Sequence, residues 1–248
     1  MKNIIKGVFL ILLVSLLFVG CQKKGNDKLV FASDATWPPM EFVDEAGDIV
    51  GFDMDLIAAV AEEAGFEYEV KNTNWDGIFA GLANGAYDGI ISSVTITEER
   101  QKAMNFTTPY INAGQILLLR VETTSVEKIE DMAGMKVGTQ QGTTGDFVVE
   151  EISSIDRRAY DDIGLAVEDL LNGNVDGVVC DSPIAADYVM NNPAFKGKLK
   201  IVGEPFTEEF FGIAVQKNNE ELLKTLNDAL DKVIASGKRD ELINKWLR

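Results

Sequence analysis

Residues 84–93 read Asn-Gly-Ala-Tyr-Asp-Gly-Ile-Ile-Ser-Ser, and residues 172–181 repeat the pattern as Asn-Gly-Asn-Val-Asp-Gly-Val-Val-Cys-Asp. Each copy follows an amphipathic helical pattern and runs into a short aliphatic strand. The two copies lie 88 residues apart, which is too long for a solenoid period and suits two similar α/β lobes. A plainer interpretation stays open, because Asn and Gly both tolerate left-handed backbone and helix–turn–strand junctions are common.

The rest of the chain alternates between strand and helix patterns in the same way. Asp53 can cap a helix that stops at Gly65, and Gln115–Val121 is a long apolar run. Such alternation predicts mostly parallel sheets with helices on both faces. Ligands of open α/β sheets bind beyond the carboxyl ends of the strands, where the repeat places Ser93 and Asp181. The predicted strands include Leu29–Ser33, Phe66–Val70, Gly89–Ser92, Lys136–Thr139 and Gly177–Cys180.

The first residues have the pattern of a secretory signal peptide. Two lysines precede the apolar run Val8–Gly20, which is shorter than the roughly 20 apolar residues that a spanning helix needs. The small residue directly before Cys21 resembles a lipoprotein processing site, although Phe18 stands where that pattern usually has leucine. Ordinary cleavage that leaves Cys21 free is the alternative. We predict a signal peptide at 1–20, a lipid-anchor linker at 21–28, and a membrane lipoprotein that faces the periplasm or the cell exterior.

The composition excludes several classes of function. The 23 basic residues face 40 acidic ones, and loss of the two lysines of residues 1–20 would lower the net charge from −17 to −19. So negative a surface repels phosphate backbones, which excludes nucleic acid as a partner. The chain has no histidine, so it lacks the most common metal ligand and general base, and we expect neither a metal nor a cofactor. If Cys21 is acylated, Cys180 is the one thiol left and no intrachain disulfide is possible.

Arg100 follows the first copy of the repeat, at the third position of a helix that Thr97 can cap. The pair is not a capping box, because arginine cannot accept a hydrogen bond, so its side chain is free to point elsewhere. A guanidinium fork matches the geometry of a carboxylate, and the start of a helix favours an anion. Both a solvated surface arginine and a ligand clamp fit this local pattern.

Two tryptophans also stand at predicted strand ends. Trp37 lies in a loop that two prolines stiffen, and Trp75 lies at a strand-to-helix junction. Indole faces on either side of a ligand would supply apolar area and cation–π attraction of roughly 0.5–2 kcal/mol per contact. Taken alone, each tryptophan fits a core position as well.

The second half offers a glycine-rich turn and an acidic strand end. Residues 138–146 read Gly-Thr-Gln-Gln-Gly-Thr-Thr-Gly-Asp, a strand, turn and helix start that would aim N–H groups at an anion. The turn lacks the Lys-Ser/Thr of a phosphate loop, so a carboxylate is the better guest. Asp181 could neutralise an ammonium group or cap the helix that follows, and Cys180 reads as a small buried apolar residue.

Together these segments resemble the polar amino-acid receptors of ABC importers, the class-two periplasmic-type binding proteins of bacterial solute-binding protein family 3. The resemblance covers the chain from about residue 29 to its last residue. It implies two Rossmann-like α/β lobes, lobe 1 at 29–115 plus 212–248 and lobe 2 at 116–211. The runs Gln115–Val121 and Phe210–Val215 would be the two hinge strands that cross between them. The motifs that carry the resemblance occur in the family's order: Asp34-Ala35-Thr36-Trp37-Pro38-Pro39, Gly51-Phe52-Asp53-Met54-Asp55-Leu56, Trp75-Asp76-Gly77, Thr95-Ile96-Thr97-Glu98-Glu99-Arg100, Gln141-Gly142-Thr143-Thr144-Gly145 and Asp181-Ser182.

The resemblance implies how the backbone of an amino acid would be held. Arg100 would bind the α-carboxylate through two hydrogen bonds, and Thr95 and Thr144 would add backbone N–H or hydroxyl donors. Asp181, together with Ser93 and Thr95, would receive the α-ammonium group. Because Arg100 and Asp181 lie in different lobes, one amino acid would satisfy both only in a closed cleft, so the ligand favours closure.

The resemblance also implies how the side chain of the ligand would be held. Trp37 and Trp75 would enclose it, and Asp34, Ser92 and Gln140 would meet its tip. An acidic residue between indole walls favours a cation, so we predict a receptor for arginine, followed by lysine or ornithine. Glutamine is the alternative, because Asp34 could accept from an amide.

The partners implied are a free amino acid and the permease and ATPase of an ABC importer, with the receptor itself a monomer. No bond would be made or broken, so the chain is predicted not to be an enzyme. The rival from another class is a cyclohexadienyl dehydratase on the same fold, which needs a general acid in the cleft instead of an amino-acid clamp. A sensor ectodomain is a third possibility, and it would need a signalling domain or a membrane segment beyond this sequence.

Overall fold

The computed structural model describes residues 28–248, so the predicted signal peptide and Cys21 lie outside the described residues. Two five-stranded sheets, a two-stranded and a three-stranded sheet, eight α-helices and a 3-10 turn at Ile129–Met132 make up the described chain. The strands are β1 (Leu29–Ser33), β2 (Thr36–Trp37), β3 (Glu41–Val43), β4 (Ile49–Val50), β5 (Tyr68–Asn72), β6 (Gly89–Ile90), β7 (Met104–Phe106), β8 (Ile111–Asn112), β9 (Gln115–Arg120), β10 (Lys136–Gln140), β11 (Asp156–Tyr160), β12 (Gly177–Asp181), β13 (Leu199–Val202), β14 (Phe210–Phe211) and β15 (Ala214–Gln216). The helices are α1 (Phe52–Ala64), α2 (Trp75–Ala83), α3 (Glu98–Ala103), α4 (Thr144–Glu151), α5 (Ile163–Asn172), α6 (Ser182–Met190), α7 (Glu220–Ala235) and α8 (Lys238–Trp246).

The two large sheets have the same topology. The first has the strand order β5-β1-β6-β15-β7 and the second the order β11-β10-β12-β9-β13. In each sheet the third strand is parallel to the second and antiparallel to the fourth. Those third strands, β6 and β12, are the two copies of the sequence repeat, so the repeat does mark two similar α/β lobes. The predicted fold class, a two-lobed arrangement of the periplasmic-binding type, is confirmed.

The chain passes between the sheets at a different place from the one predicted. Gln115–Arg120 lies in the second sheet over its whole length, between β12 and β13, so the prediction that Gln115–Val121 crosses between the lobes is wrong. The crossing lies just before it, where β8 pairs with β14 in the separate two-stranded sheet. The run Phe210–Val215 divides accordingly into β14 and the start of β15. The apolar run is long because helices cover both faces of its sheet, as in a buried central strand.

The position of Asp53 before an apolar pattern predicts that it caps its helix, and this prediction is wrong. Gly51 is the residue at the N-cap, with no side-chain hydrogen bond, and Asp53 lies fully buried in the first turn. Its carboxylate instead accepts hydrogen bonds from the Ser93 N–H at 2.8 Å and from the Tyr110 hydroxyl at 2.9 Å. The helix ends at Gly65, in the left-handed conformation, as predicted.

The first copy of the repeat leaves its sheet earlier than its pattern predicts. Strand β6 ends at Ile90, and Ser93 has a φ of 48°, a left-handed backbone that non-glycine residues seldom adopt. The bonds that Ser93 makes to buried carboxylates hold this turn in place, and it directs the chain across the edge of the sheet. Strand β5, by contrast, starts two residues later than predicted, at Tyr68.

Helices cover the two sheets and close the apolar core. Helix α1 packs against α7 and α8, and α5 packs on β10, β11 and β12 of the second sheet. Within residues 28–248, no helix combines the length and the apolar character needed to cross a membrane. The lobe boundaries at 115/116 and 211/212 remain predictions, since sheet membership alone does not define a boundary to the residue.

Candidate functional site

A cavity lies between the two large sheets, at the carboxyl ends of their strands. Every residue that the sequence predicted for the site lines it, which brings together segments up to 147 residues apart along the chain. Glu41 and Thr143 line it as well, and the sequence analysis had named neither for the site. Whether these residues bind a ligand stays a prediction. The residues that line the cavity are Asp34, Trp37, Glu41, Trp75, Ser92, Ser93, Thr95, Arg100, Gln140, Thr143, Thr144 and Asp181.

The structure has this cleft closed, because side chains from the two sides touch across it. The Gln140 Nε2 donates to the Asp34 carboxylate at 3.0 Å, and the Arg100 Nη2 donates to the Gly142 carbonyl oxygen at 3.5 Å. The Thr95 and Thr144 hydroxyl oxygens lie 3.4 Å apart. The first two contacts are hydrogen bonds and the third brings two hydroxyl oxygens close together, so the closed state has hydrogen bonds of its own.

Arg100 points into the cavity and not to solvent. The Thr97 hydroxyl accepts from the Arg100 N–H at 3.1 Å, which confirms the predicted N-cap. The guanidinium donates to the Thr95 carbonyl oxygen at 3.0 Å and lies over the rings of Trp75 and Phe79, 5.4 and 5.0 Å from their centroids. Burial lowers its pKa to about 10, while the charges of Asp181 and Glu209 oppose that change. The guanidinium therefore stays charged near neutral pH, as a carboxylate clamp requires.

The two tryptophans are buried walls with different surroundings. Trp37 and Trp75 are 7% and 9% exposed. Trp75 meets Phe79 edge to face at 4.9 Å and carries the guanidinium of Arg100 on its ring, so part of its cation–π attraction serves Arg100. Among the described residues, the buried Trp75 Nε1 has no hydrogen-bond partner. A guest with an acceptor near this N–H would satisfy it.

The glycine-rich turn brings Thr143 and Thr144 to the cavity. Thr143 is the N-cap of α4, where its hydroxyl accepts from the Asp146 N–H at 3.2 Å, and Gly142 has a left-handed φ of 74°. Asp146 in turn accepts from the Gly142 N–H at 3.0 Å, which fixes the shape of the turn. Sequence reasoning missed Thr143, although its place between Gly142 and Thr144 in the same turn was a signal for it.

Asp181 faces Arg100 at one end of the cavity, which we call the α-end. It occupies the N-cap of α6 without making a side-chain cap, so the capping alternative does not describe it. The Gln115 Nε2 donates to its carboxylate at 2.9 Å. Burial raises the pKa of Asp181 to about 8 and the charge of Glu209 adds to this, whereas the charge of Arg100 opposes it. An ammonium group placed there would keep this carboxyl ionised.

Asp34 and Glu41 lie around Ser92 at the other end of the cavity, which we call the side-chain end. The Asp34 N–H donates to the Ser92 hydroxyl oxygen at 2.9 Å, and that hydroxyl donates to the Glu41 carboxylate at 3.1 Å. The Asp34 carboxylate accepts from the Thr36 hydroxyl at 3.1 Å as well as from Gln140. Burial raises the pKa of Asp34, which is 6% exposed.

Glu41 is the residue that sequence reasoning most clearly missed. It is 1% exposed, accepts from the hydroxyls of both Ser92 and Ser93 at 3.1 Å, and lies close enough to Asp53 for that charge to affect its pKa. Burial, and then the charge of Asp53, raise the pKa of Glu41 well above its usual value, while burial raises that of Asp53 to about 6. Burial therefore favours the protonated form of Glu41. The signal available was a lone acid between Met40 and Phe42, two residues beyond the proline pair.

The comparison with known proteins agrees with this geometry. The family model described as bacterial extracellular solute-binding proteins, family 3, matches residues 29–248. The chain belongs to this family. The match spans both large sheets and every residue that lines the cavity.

Individual relatives are similar over most of their length. A probable histidine-binding protein of Neisseria gonorrhoeae is 40% identical over 219 residues, which are 87% of this chain and 81% of that protein. The structure of an ancestral arginine-binding protein bound to arginine aligns with a TM-score of 0.84 at 39% identity, covering 89% of this chain and 98% of that chain. An ancestral amino acid-binding protein described as a precursor of cyclohexadienyl dehydratase aligns at 0.83 and 34%, covering 89% and 96%. All three are binding proteins by their descriptions.

Proposed function

We propose that this chain is an extracytoplasmic receptor that binds free arginine in the closed cleft, ahead of lysine and ornithine. The observation that carries the proposal is the charge of the cavity, which has a cation and an acid at the α-end and two further acids at the side-chain end. A free amino acid with a cationic side chain has the complementary charges in the same order. The similarity to an arginine-bound structure supports a free amino acid as the ligand, and the order of charges favours arginine.

The α-end fits the groups that all amino acids share. Arg100 offers a guanidinium fork to an α-carboxylate, and Asp181 lies close enough to Arg100 for each charge to affect the pKa of the other. A zwitterion placed between them pairs both charges at once, which neither a simple carboxylate nor a simple amine would do. Because Arg100 and Asp181 come from opposite sides of the cleft, the ligand stabilises the closed state.

The side-chain end distinguishes arginine from glutamine. A guanidinium has five N–H donors and could reach both Asp34 and Glu41, whereas an amide has two. Glutamine fits if Glu41 keeps its proton and Asp34 keeps its bond to Gln140, so it is the second candidate. Arginine gains more, because its guanidinium can pair with the Asp34 carboxylate and with Glu41 once Glu41 has released its proton.

Calorimetric titration with L-arginine, L-lysine, L-ornithine and L-glutamine tests the ligand. We expect arginine to bind most tightly and glutamine at least about tenfold more weakly, a difference of about 1.4 kcal/mol. Glutamine binding tenfold more tightly than arginine would reject the proposal. If the chain were a dehydratase, the purified protein would turn over prephenate or arogenate. We expect no turnover, because Arg100 and Asp181 at the α-end form an amino-acid clamp that such an enzyme does not need.

We further infer that the receptor is exported and acts as a monomer that delivers its ligand to the permease and ATPase of an ABC importer. Its anchor would be an acylated Cys21, after removal of residues 1–20. The mass of the mature protein extracted from membranes should correspond to residues 21–248 plus acyl chains. Replacing Cys21 by serine should release the protein from the membrane fraction; a Cys21→Ser variant that stays in that fraction would refute the lipid anchor.

A further inference from the structure

Glu209 lies behind the α-end of the cavity, on the return crossing just before β14. It is 8% exposed and was not predicted from the sequence, where it follows another glutamate in a loop. Its Oε2 accepts from the hydroxyls of Thr144 and Thr95 at 2.6 and 3.0 Å and from the Gln115 Nε2 at 3.4 Å. Its Oε1 accepts from the Thr207 hydroxyl at 2.8 Å. Four donors thus surround one carboxylate.

These bonds settle what the two threonine hydroxyls can offer a ligand. A hydroxyl has one hydrogen and two acceptor lone pairs. The hydrogens of Thr95 and Thr144 point to Glu209, and the Gln115 Nε2 also donates to the Thr144 oxygen at 3.1 Å. One lone pair of Thr144 and two of Thr95 are left by these bonds, beside the cavity that both residues line. Both hydroxyls are therefore acceptors towards a guest.

We propose that Glu209 is a positioning residue of the amino-acid site: by taking the hydroxyl hydrogens of Thr95 and Thr144, it makes both oxygens receive the ligand's α-ammonium group. This inference rests on the proposed function, since it concerns how the same site recognises an amino acid. For Thr95 it agrees with the expectation that this residue receives the α-ammonium group, and for Thr144 it departs from the expectation that the hydroxyl donates to the α-carboxylate. Their hydrogens are already used, so the carboxylate depends on Arg100 and on backbone N–H groups.

Glu209 also acts on the second acceptor of the ammonium group, Asp181. The Gln115 side chain joins the two acids, donating to Asp181 at 2.9 Å and lying 3.4 Å from the Glu209 Oε2. The α-end thus has one acidic group that lines the cavity, Asp181, and a second one behind it, Glu209, with Arg100 as the counter-charge. Ligands that carry an ammonium group gain from this arrangement, and ligands that carry a carboxylate alone do not.

The test compares L-arginine with 5-guanidinopentanoate, which has the same carboxylate and guanidinium but no amino group. Both are titrated by calorimetry into the wild type, Glu209→Ala and Glu209→Gln, with Glu208→Gln as the control for loss of one charge at the exposed neighbouring position. We expect Glu209→Ala to weaken arginine binding about tenfold or more and analogue binding less than about threefold. Glu209→Gln keeps the shape and one acceptor oxygen, so a several-fold loss confined to arginine is expected. The control should bind both as the wild type does.

The outcomes separate a failure of the proposed receptor function from a failure of the proposed role of Glu209. If the wild type binds no amino acid, the receptor function itself is wrong, and this inference falls with it. If the wild type binds arginine but both ligands lose affinity equally in Glu209→Ala, Glu209 supports the fold of the site in general and the inference is overturned. Should Glu209→Ala not fold, unchanged arginine affinity in Glu209→Gln overturns it. A wild type that prefers glutamine is tested in the same way with L-glutamine and glutaramate.

Discussion

Replacing Arg100 by alanine should weaken the binding of every amino acid that the protein binds by at least about 100-fold, or about 2.7 kcal/mol. The guanidinium is the cation of the α-end, and its removal leaves the α-carboxylate of the ligand without a counter-charge. The loss should be the same for arginine, lysine and glutamine, because the α-carboxylate is common to all three. Calorimetric titration measures it.

Two further variants separate charge from geometry. Arg100→Lys keeps the charge but loses the planar fork and its place over Trp75 and Phe79, so we expect an intermediate loss. Arg158→Ala removes an arginine from an exposed ion pair on β11 and should bind as the wild type does. Retention of full affinity by Arg100→Ala would contradict the whole binding arrangement. Thermal unfolding of each variant shows that the fold is intact.

Much of the site could be predicted because its residues follow strand ends. Parallel strands place their carboxyl ends at one edge of a sheet, so Ser93 and Asp181, at the two copies of the repeat, had to face the same side of their lobes. Arg100 gained its role from that placement, since its local pattern fitted a surface residue equally well. The order of the motifs along the chain then added Trp37 and Trp75.

The acids that the sequence did not reveal reach the site by tertiary folding. Glu41 is brought there by the β2–β3 pairing, which folds the chain back so that a residue beyond the proline pair lies beside Ser92 and Ser93. Glu209 arrives on the return crossing, more than a hundred residues from Thr95. Glu209 has no local pattern that distinguishes it from the many solvated acids of this chain, and the apolar neighbours Met40 and Phe42 are the one local signal for Glu41.

The error in the hinge has a related cause. The resemblance assigned Gln115–Val121 to the crossing between lobes, and the apolar residues Ile116–Leu119 at its centre fitted a buried crossing segment. A central strand covered by helices on both faces has the same pattern, and the pairing of β9 with β12 and β13 shows that this is the case here. An apolar pattern indicates that a strand is buried, but it does not distinguish burial between two lobes from burial under the helices of one lobe.

Replacing Glu41 by glutamine should change which amino acid is preferred. Glu41 and Asp34 are the two carboxylates of the side-chain end, so arginine affinity should fall about 10- to 100-fold, or about 1.4–2.7 kcal/mol, while glutamine affinity changes less than about threefold. Asp34→Asn should act in the same direction. Glu45→Gln, at an exposed position of the same segment, is the control and should leave both affinities unchanged.

Proton release gives an independent measure of the same effect. Burial and the charge of Asp53 raise the pKa of Glu41 and favour its protonated form before a ligand binds; Ser92, Ser93 and Tyr110 complete the polar groups around the pair. A guanidinium favours the ionised form and so lowers that pKa, which releases a proton and makes arginine affinity rise with pH below the raised pKa. Glutamine has no charge at this end and leaves the proton in place.

Titration near neutral pH in buffers of different ionisation enthalpy should therefore show more proton release with arginine than with glutamine. The contribution of Asp181 cancels in this comparison, because both ligands carry the same α-ammonium group. That excess should vanish in Glu41→Gln. Equal proton release for the two ligands in the wild type would show that Glu41 does not pair with the ligand's cation, and arginine would then lose its advantage over glutamine at this site.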